Sequence, residues 1–183
     1  MNKYQTQQRG FALLLSLIIS SIALAIGLSM LHITLKQLTL GSTTRGSEIA
    51  FQAANAGMEC LRYTRNLETL DFVAGDSSVP LSCLGASGNF TFDGSASPVY
   101  RYTYPTLNWN TSDGNVCIDM ELFVVDASGA PPAGITHTFP NSGNKTCSSG
   151  DVCTYGFVRG YNRSCGEIAG SIFTVQRELT AEF

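Results

Sequence analysis

The sequence is poor in charge, histidine and tryptophan. Asp, Glu, Lys and Arg make up 14% of its residues, against about 25% in an ordinary soluble domain. The formal net charge is −3, which excludes the basic footprint of a nucleic-acid binder, so no nucleic-acid partner is expected. Only two histidines occur, His32 and His137, and neither has another His, Asp or Glu at ligand spacing. No cysteine pair has the Cys-x2-Cys spacing of a zinc knuckle, and Cys147-x5-Cys153 is too wide for one. A nucleophile elbow, a phosphate-cradling glycine loop and a dinucleotide fingerprint are all missing. Asp119 and Glu121, at i and i+2, read as a solvated strand face rather than an acid–base pair. These absences point away from an enzyme and from any cofactor or metal.

What the chain does have is a long uncharged run from Phe11 to Ile33. As a helix rising ~1.5 Å per residue it would be roughly 35 Å long, enough to cross a hydrocarbon core of roughly 30 Å. Lys3 and Arg9 precede it, with no acid among the first ten residues, so the positive-inside tendency holds residues 1–10 in the cytoplasm. Three interpretations of the run compete. Ala23-Leu24-Ala25 fits a secretory signal cut before Ile26, although the apolar pattern continues through Leu28, Leu31, Ile33, Leu35, Leu38 and Leu40. The run could be an uncleaved single-pass anchor. Or residues 1–10 could be a leader removed after Gly10, leaving Phe11 as the new N-terminus and the apolar helix in the mature chain.

The stretch Gln8-Arg9-Gly10-Phe11-Ala12-Leu13-Leu14-Leu15 resembles the start of type IV pilin-like proteins. Ile49-Ala50-Phe51-Gln52-Ala53-Ala54-Asn55-Ala56-Gly57-Met58-Glu59 resembles the second half of the long N-terminal helix in minor pilins and pseudopilins. Together the two stretches cover about a third of the chain. The resemblance implies cleavage by prepilin peptidase between Gly10 and Phe11 and N-methylation of Phe11. It also implies assembly into a filament with other pilin-like subunits. The family usually carries Glu at the fifth mature residue, where it meets the N-terminal amine of a neighbour. Here that position is Leu15, a departure suited to a minor, tip-located subunit or a divergent branch.

Beyond the run, Thr34 to Leu40 is amphipathic, and Gly41-Ser42-Thr43-Thr44 is expected to kink or loosen the helix. The helical pattern resumes at Arg45, with Ile49, Ala53, Ala56 and Cys60 at three- and four-residue steps. After about Asn66, Gly, Ser, Thr, Asn and Pro become dense. Strand-like runs are expected at 89–92, at 99–104 (ended by Pro105), and at 116–125, 135–139, 152–161 and 172–180. They read as an antiparallel sheet with one face on the helix and one toward water. Tyr100, Tyr102, Tyr104 and Trp109 form an aromatic cluster that reads either as a binding surface or, as alternating strand tyrosines more often do, as cover for a core edge.

Six cysteines, Cys60, Cys83, Cys117, Cys147, Cys153 and Cys165, all follow the apolar run. An even number confined to the exported part suggests disulfides in an oxidising compartment. Six cysteines allow about 15 pairings. Cys60 near the helix end and Cys83 in the loop beyond it are the expected pair, with two bridges among the other four.

The chain is thus expected to be α+β, a long N-terminal helix packed on an antiparallel β domain. Residues 1–10 form a leader, 11–40 the transmembrane and assembly half of the helix, 41–66 its amphipathic half and 67–183 the disulfide-linked domain. The implied partners are prepilin peptidase, other pilin-like subunits and membrane lipid around residues 11–33. The expected setting is a single-pass membrane protein with its C-terminal domain outside the cytoplasm. The expected role is that of a minor pilin or pseudopilin in a type IV pilus-like or type II secretion-like filament. A permanently anchored binding protein that forms no filament is the alternative, and a secreted enzyme is a third.

Overall fold

The computed structural model describes residues 4–68, 71–72, 75–93, 97–112, 114–139 and 142–183. Lys3, one of the expected flanking cations, lies outside them. The long α-helix α1 runs from Tyr4 to Leu67, and the chain divides into two compact units, Met1–Thr44 and Arg45–Phe183.

The first unit is all helix over its described residues. The expected break at Gly41–Thr44 does not occur, because α1 is continuous there. The hydroxyls of Ser42 and Thr43 donate to the Thr39 carbonyl at 2.8 and 3.0 Å, and that of Thr44 to the Leu40 carbonyl at 2.9 Å. These back-bonds let poor helix formers keep helical geometry.

In the second unit, residues 45–67 of α1 lie on a six-stranded antiparallel sheet. Its strands are β1 (Ser78–Cys83), β2 (Ala86–Phe92), β3 (Val99–Thr111), β4 (Gly114–Asp126), β7 (Val152–Tyr161) and β8 (Gln176–Glu182), neighbours in that order. Between β4 and β7 the chain makes a separate two-stranded ribbon, β5 (Ile135–Phe139) with β6 (Gly143–Cys147).

Alternation along β4 builds two cores. Ile118, Met120, Leu122 and Val124 face the helix, where they meet Ala53, Ala54, Met58, Leu61, Phe90, Tyr102 and Val158. Phe123 and Val125 point the other way and pack with Phe139, Cys147, Tyr155 and Phe157. The expectation that the second face meets water is therefore corrected. The β5–β6 ribbon covers that face at one end of β4, because residues 123 and 125 need burial.

The helix approaches the sheet closely through small residues on both sides. A Cβ on Gly57 would come within 2.5 Å of Ile118 Cγ2 and 2.7 Å of Val158 Cγ1. On β7, a Cβ on Gly156 would come within 2.5 Å of Leu61 Cδ2.

Several strand bounds differ from expectation. Pro105 does not end β3. The register shifts between Tyr104 and Leu107 instead, and such an irregularity tolerates the missing N–H. The last strand starts at Gln176 rather than 172. Cys83 ends β1 rather than lying in a loop, in a strand where Pro80 hides the pattern. β6 is almost wholly exposed and so carries no apolar alternation. The β1–β2 turn pairs Cys83 with Ala86 and places both Leu84 and Gly85 at positive φ, as a tight two-residue hairpin requires.

One long apolar N-terminal helix packed on an antiparallel sheet is a pilin-like architecture.

Candidate assembly and processing site

Gly10 and Phe11 sit in continuous helical backbone. Every side chain from Phe11 to Thr44 is exposed, including Phe11 at 71% and Leu15 at 50%. A helix that is apolar all round belongs inside a core or a membrane. Burying a large aliphatic or aromatic side chain is worth ~1.5–3 kcal/mol, so leaving this face in water costs on the order of tens of kcal/mol.

The serine hydroxyls within the run and the threonine hydroxyls just beyond it do not spoil its surface. Ser16, Ser20 and Ser21 donate to the carbonyls of Leu13, Leu17 and Ile18 at 2.8, 3.0 and 2.8 Å. Thr34 and Thr39 donate to Met30 and Leu35 at 2.9 and 3.0 Å. These hydroxyls satisfy themselves on their own helix, which an apolar surrounding demands. The helix is long and apolar enough to cross a membrane. Together with disulfides in the sheet domain, it fits a single-pass membrane protein with an extracellular domain.

No carboxylate accompanies the run, since the first acidic residue of the chain is Glu48. Leu15 is one apolar surface residue among others. Glycine is a weak point in a helix by about 1 kcal/mol relative to alanine, which favours local opening at Gly10.

The six cysteines pair as Cys60–Cys83, Cys117–Cys165 and Cys147–Cys153, with Cα separations of 5.9, 4.7 and 5.7 Å. The first ties the end of α1 to β1. The second ties the loop after β7 to the start of β4, and the third closes the β6–β7 turn.

His32 and His137 lie far apart in sequence and in different units. His137 is a packed ring on β5, 4.7 Å from Phe139 and 5.9 Å from Phe123 between centroids. Among the described residues no group of three or more His, Cys, Asp or Glu is placed to hold a metal ion.

Asp119 and Glu121 share one strand face, but that face is not simply solvated. Arg159 reaches Asp119 at 3.0 Å, Glu121 at 3.5 Å and Glu178 at 2.9 Å. Arg101 meets Glu121 at 2.5 Å and also pairs with Asp93. Burial raises the Asp119 pKa, and the opposing effect of Arg159 does not cancel it. Burial would lower the Arg101 and Arg159 pKa values, but the neighbouring carboxylates raise them instead. This cluster joins β3, β4, β7 and β8 across the open face. Each acid named here is engaged by a guanidinium, so the arrangement serves as an electrostatic clasp. Sequence reasoning missed it because Arg101 and Arg159 stand far from residues 119–121 in the chain.

Two other groups have partners that the sequence did not show. Arg65 is buried near the end of α1 and donates to Thr154 Oγ1 at 2.9 Å. Its pKa is lowered by that burial. Tyr102, within the expected tyrosine row, is fully buried and donates to the Phe72 carbonyl at 3.2 Å. Its pKa is pushed up to about 12, by burial first and by nearby acids second.

No protein-family model, curated protein or solved structure matches the chain.

Proposed function

We propose that the chain is a structural subunit, a minor pilin or pseudopilin, of a type IV pilus-like or type II secretion-like filament. It is inserted in the membrane, cut by prepilin peptidase after Gly10 and assembled through residues 11–40. One observation carries this. An uncharged helix with every side chain outward follows directly on Arg9-Gly10-Phe11 and leads into a disulfide-linked sheet domain. Cleavage on the cytoplasmic side of the run keeps the helix in the mature protein. Lipid contacts are then exchanged for contacts with neighbouring apolar helices, where side-chain packing supplies the association energy.

Leu15 bears on position within the filament. A carboxylate there would gain from a neighbour's amine and lose its hydration, and the balance favours it only when paired. Leucine needs no such partner, which suits an initiating or capping place. The same residue is the observation that favours the second reading, a permanently anchored extracellular binding protein without a filament.

Mass spectrometry of the protein from cells with active prepilin peptidase tests the proposal. A mature chain beginning at N-methylated Phe11 is expected. Retention of Met1 sinks the pilin assignment, and a start at Ile26 replaces it with secretion behind a signal peptide.

A further inference from the structure

The six-stranded sheet has two edges, β1 and β8, and they differ in how they are guarded. Beside β1, the Phe92 N–H donates to the Ser77 carbonyl at 3.3 Å. Antiparallel pairs alternate between bonded and non-bonded. In the register of β1 with β2, Ser78, Pro80 and Ser82 therefore turn their backbone outward. Pro80 has no N–H to offer there, which blunts this edge against another strand.

The β8 edge has no such guard. Thr154 and Phe183 exchange both backbone bonds, at 3.1 and 3.0 Å. Counting along the β7–β8 register, Arg177, Leu179 and Ala181 bond inward to β7, and Gln176, Glu178, Thr180 and Glu182 turn outward. Gln176, Thr180 and Glu182 are exposed. Among the described residues, no backbone group outside the sheet bonds to those three.

The two sides of this edge differ in character. Arg177 Nε donates to Ser47 Oγ at 2.8 Å, and the Arg62 guanidinium lies 5.8 Å from the Phe183 ring centroid, so one flank of α1 runs along β8. Phe51, one turn after Ser47 on that flank, is 50% exposed. Leu179 and Ala181 pack on the core beside the helix. Ile172 and Phe173, just before β8, are 92% and 68% exposed. The helix side of the edge is thus apolar. The open side carries Glu178 and Glu182, and Glu178 is already held by Arg159 at 2.9 Å.

We propose that β8 receives an extended segment of a different polypeptide, apolar at its alternate residues on the helix side and cationic at those on the open face. Outward groups recurring every ~6.8 Å match another extended backbone. A second copy of this chain is a poor occupant. β8 against β8 would set Glu178 and Glu182 of both copies on one face, where like charges repel. β8 against β1 would meet Pro80. The contact therefore ends with one partner strand and does not propagate, as an initiating or capping place requires. It goes beyond the filament reading and stands whether or not residues 1–10 are removed.

The test uses the full chain in detergent and a synthetic peptide, acetyl-Lys-Val-Lys-Val-Lys-Val-Lys-amide. Hydrogen exchange is followed at single amides. The peptide should slow exchange at Gln176, Thr180 and Glu182 by about tenfold or more, and leave Arg177, Leu179 and Ala181 unchanged, because β7 already protects them. The same peptide N-methylated throughout has no N–H to give, and one with Glu in place of Lys meets Glu178 and Glu182. Both should protect at least about tenfold less. Thr180→Pro removes one outward N–H and keeps the bonds to β7, so it should weaken protection at Gln176 and Glu182; the unaltered protein with the N-methylated peptide keeps the test independent of that variant's folding. No protection by the lysine peptide up to about 1 mM, or equal protection by either control peptide, overturns the proposal. Protection of the same amides in the chain alone, lost on dilution, assigns the edge to a second copy and overturns it as well.

Discussion

Gly160 on β7 lies directly under Ala50 of α1. A Cβ at residue 160 would collide with the Ala50 carbonyl oxygen and with the backbone of Ala53 and Ala54. These are helix backbone atoms, so no rotamer change relieves the clash. Gly160 therefore sets how near residues 45–67 come to the sheet.

Gly160→Val should cost at least the ~1–3 kcal/mol of ordinary overpacking, because backbone must move. Gly85→Ala, at a positive-φ turn position with nothing within 4 Å of an added Cβ, should cost less, through backbone strain alone. Urea midpoints of the full chain in detergent compare them, and equal midpoints would refute the close-contact argument.

The three disulfides should differ in worth by the loop each closes. The sequence separations are 48 for Cys117–Cys165, 23 for Cys60–Cys83 and 6 for Cys147–Cys153. Chain-entropy reasoning gives about 4, 3 and 2 kcal/mol respectively. Paired Cys→Ser variants, measured one bridge at a time, should fall in that order. A Cys147/Cys153 variant as damaged as the Cys117/Cys165 variant would contradict it.

Asp119 supplies a pH test. Its pKa is higher in the folded chain than its ordinary value, through burial first, against the lowering effect of Arg159. The folded state therefore holds this proton more tightly than the unfolded state. The stability contributed is complete below the unfolded pKa and is lost as pH rises through the folded one. Asp119→Asn is neutral throughout and removes this loss. Between acid pH and neutrality, stability should shift in favour of the variant relative to wild type. A pH-independent difference would refute the raised pKa.

Gly10→Leu should block removal of residues 1–10 by crowding the cleavage position, while leaving membrane insertion intact because the apolar run is untouched. The readout is the mass of the membrane-extracted chain. Normal processing of this variant would contradict the assignment of Gly10.

The helix and its character were legible because apolarity without charge is a local property, written residue by residue from Phe11 to Ile33. Most strands of the sheet were legible for a similar reason, as alternation in 116–125 and 152–161 needs no knowledge of partners. β1 and β6 were hidden because Pro80 and a run of exposed polar residues erase that alternation. Asp119 and Glu121 were visible as a pair on one strand face, but their guanidinium partners were not.

The sequence alone determined that a membrane-length helix borders Arg9-Gly10-Phe11 and precedes a cysteine-bearing β region. Those facts depend only on composition and short-range order. Tertiary structure alone decided how the four cysteines outside the expected Cys60–Cys83 bridge pair and that Gly156 and Gly160 seat the helix. It also decided that the β5–β6 ribbon covers the second face at one end of β4. Apart from the Cys147–Cys153 bridge, which spans a separation of 6, each of these joins residues far apart in the chain, and only strand order and register bring such residues together.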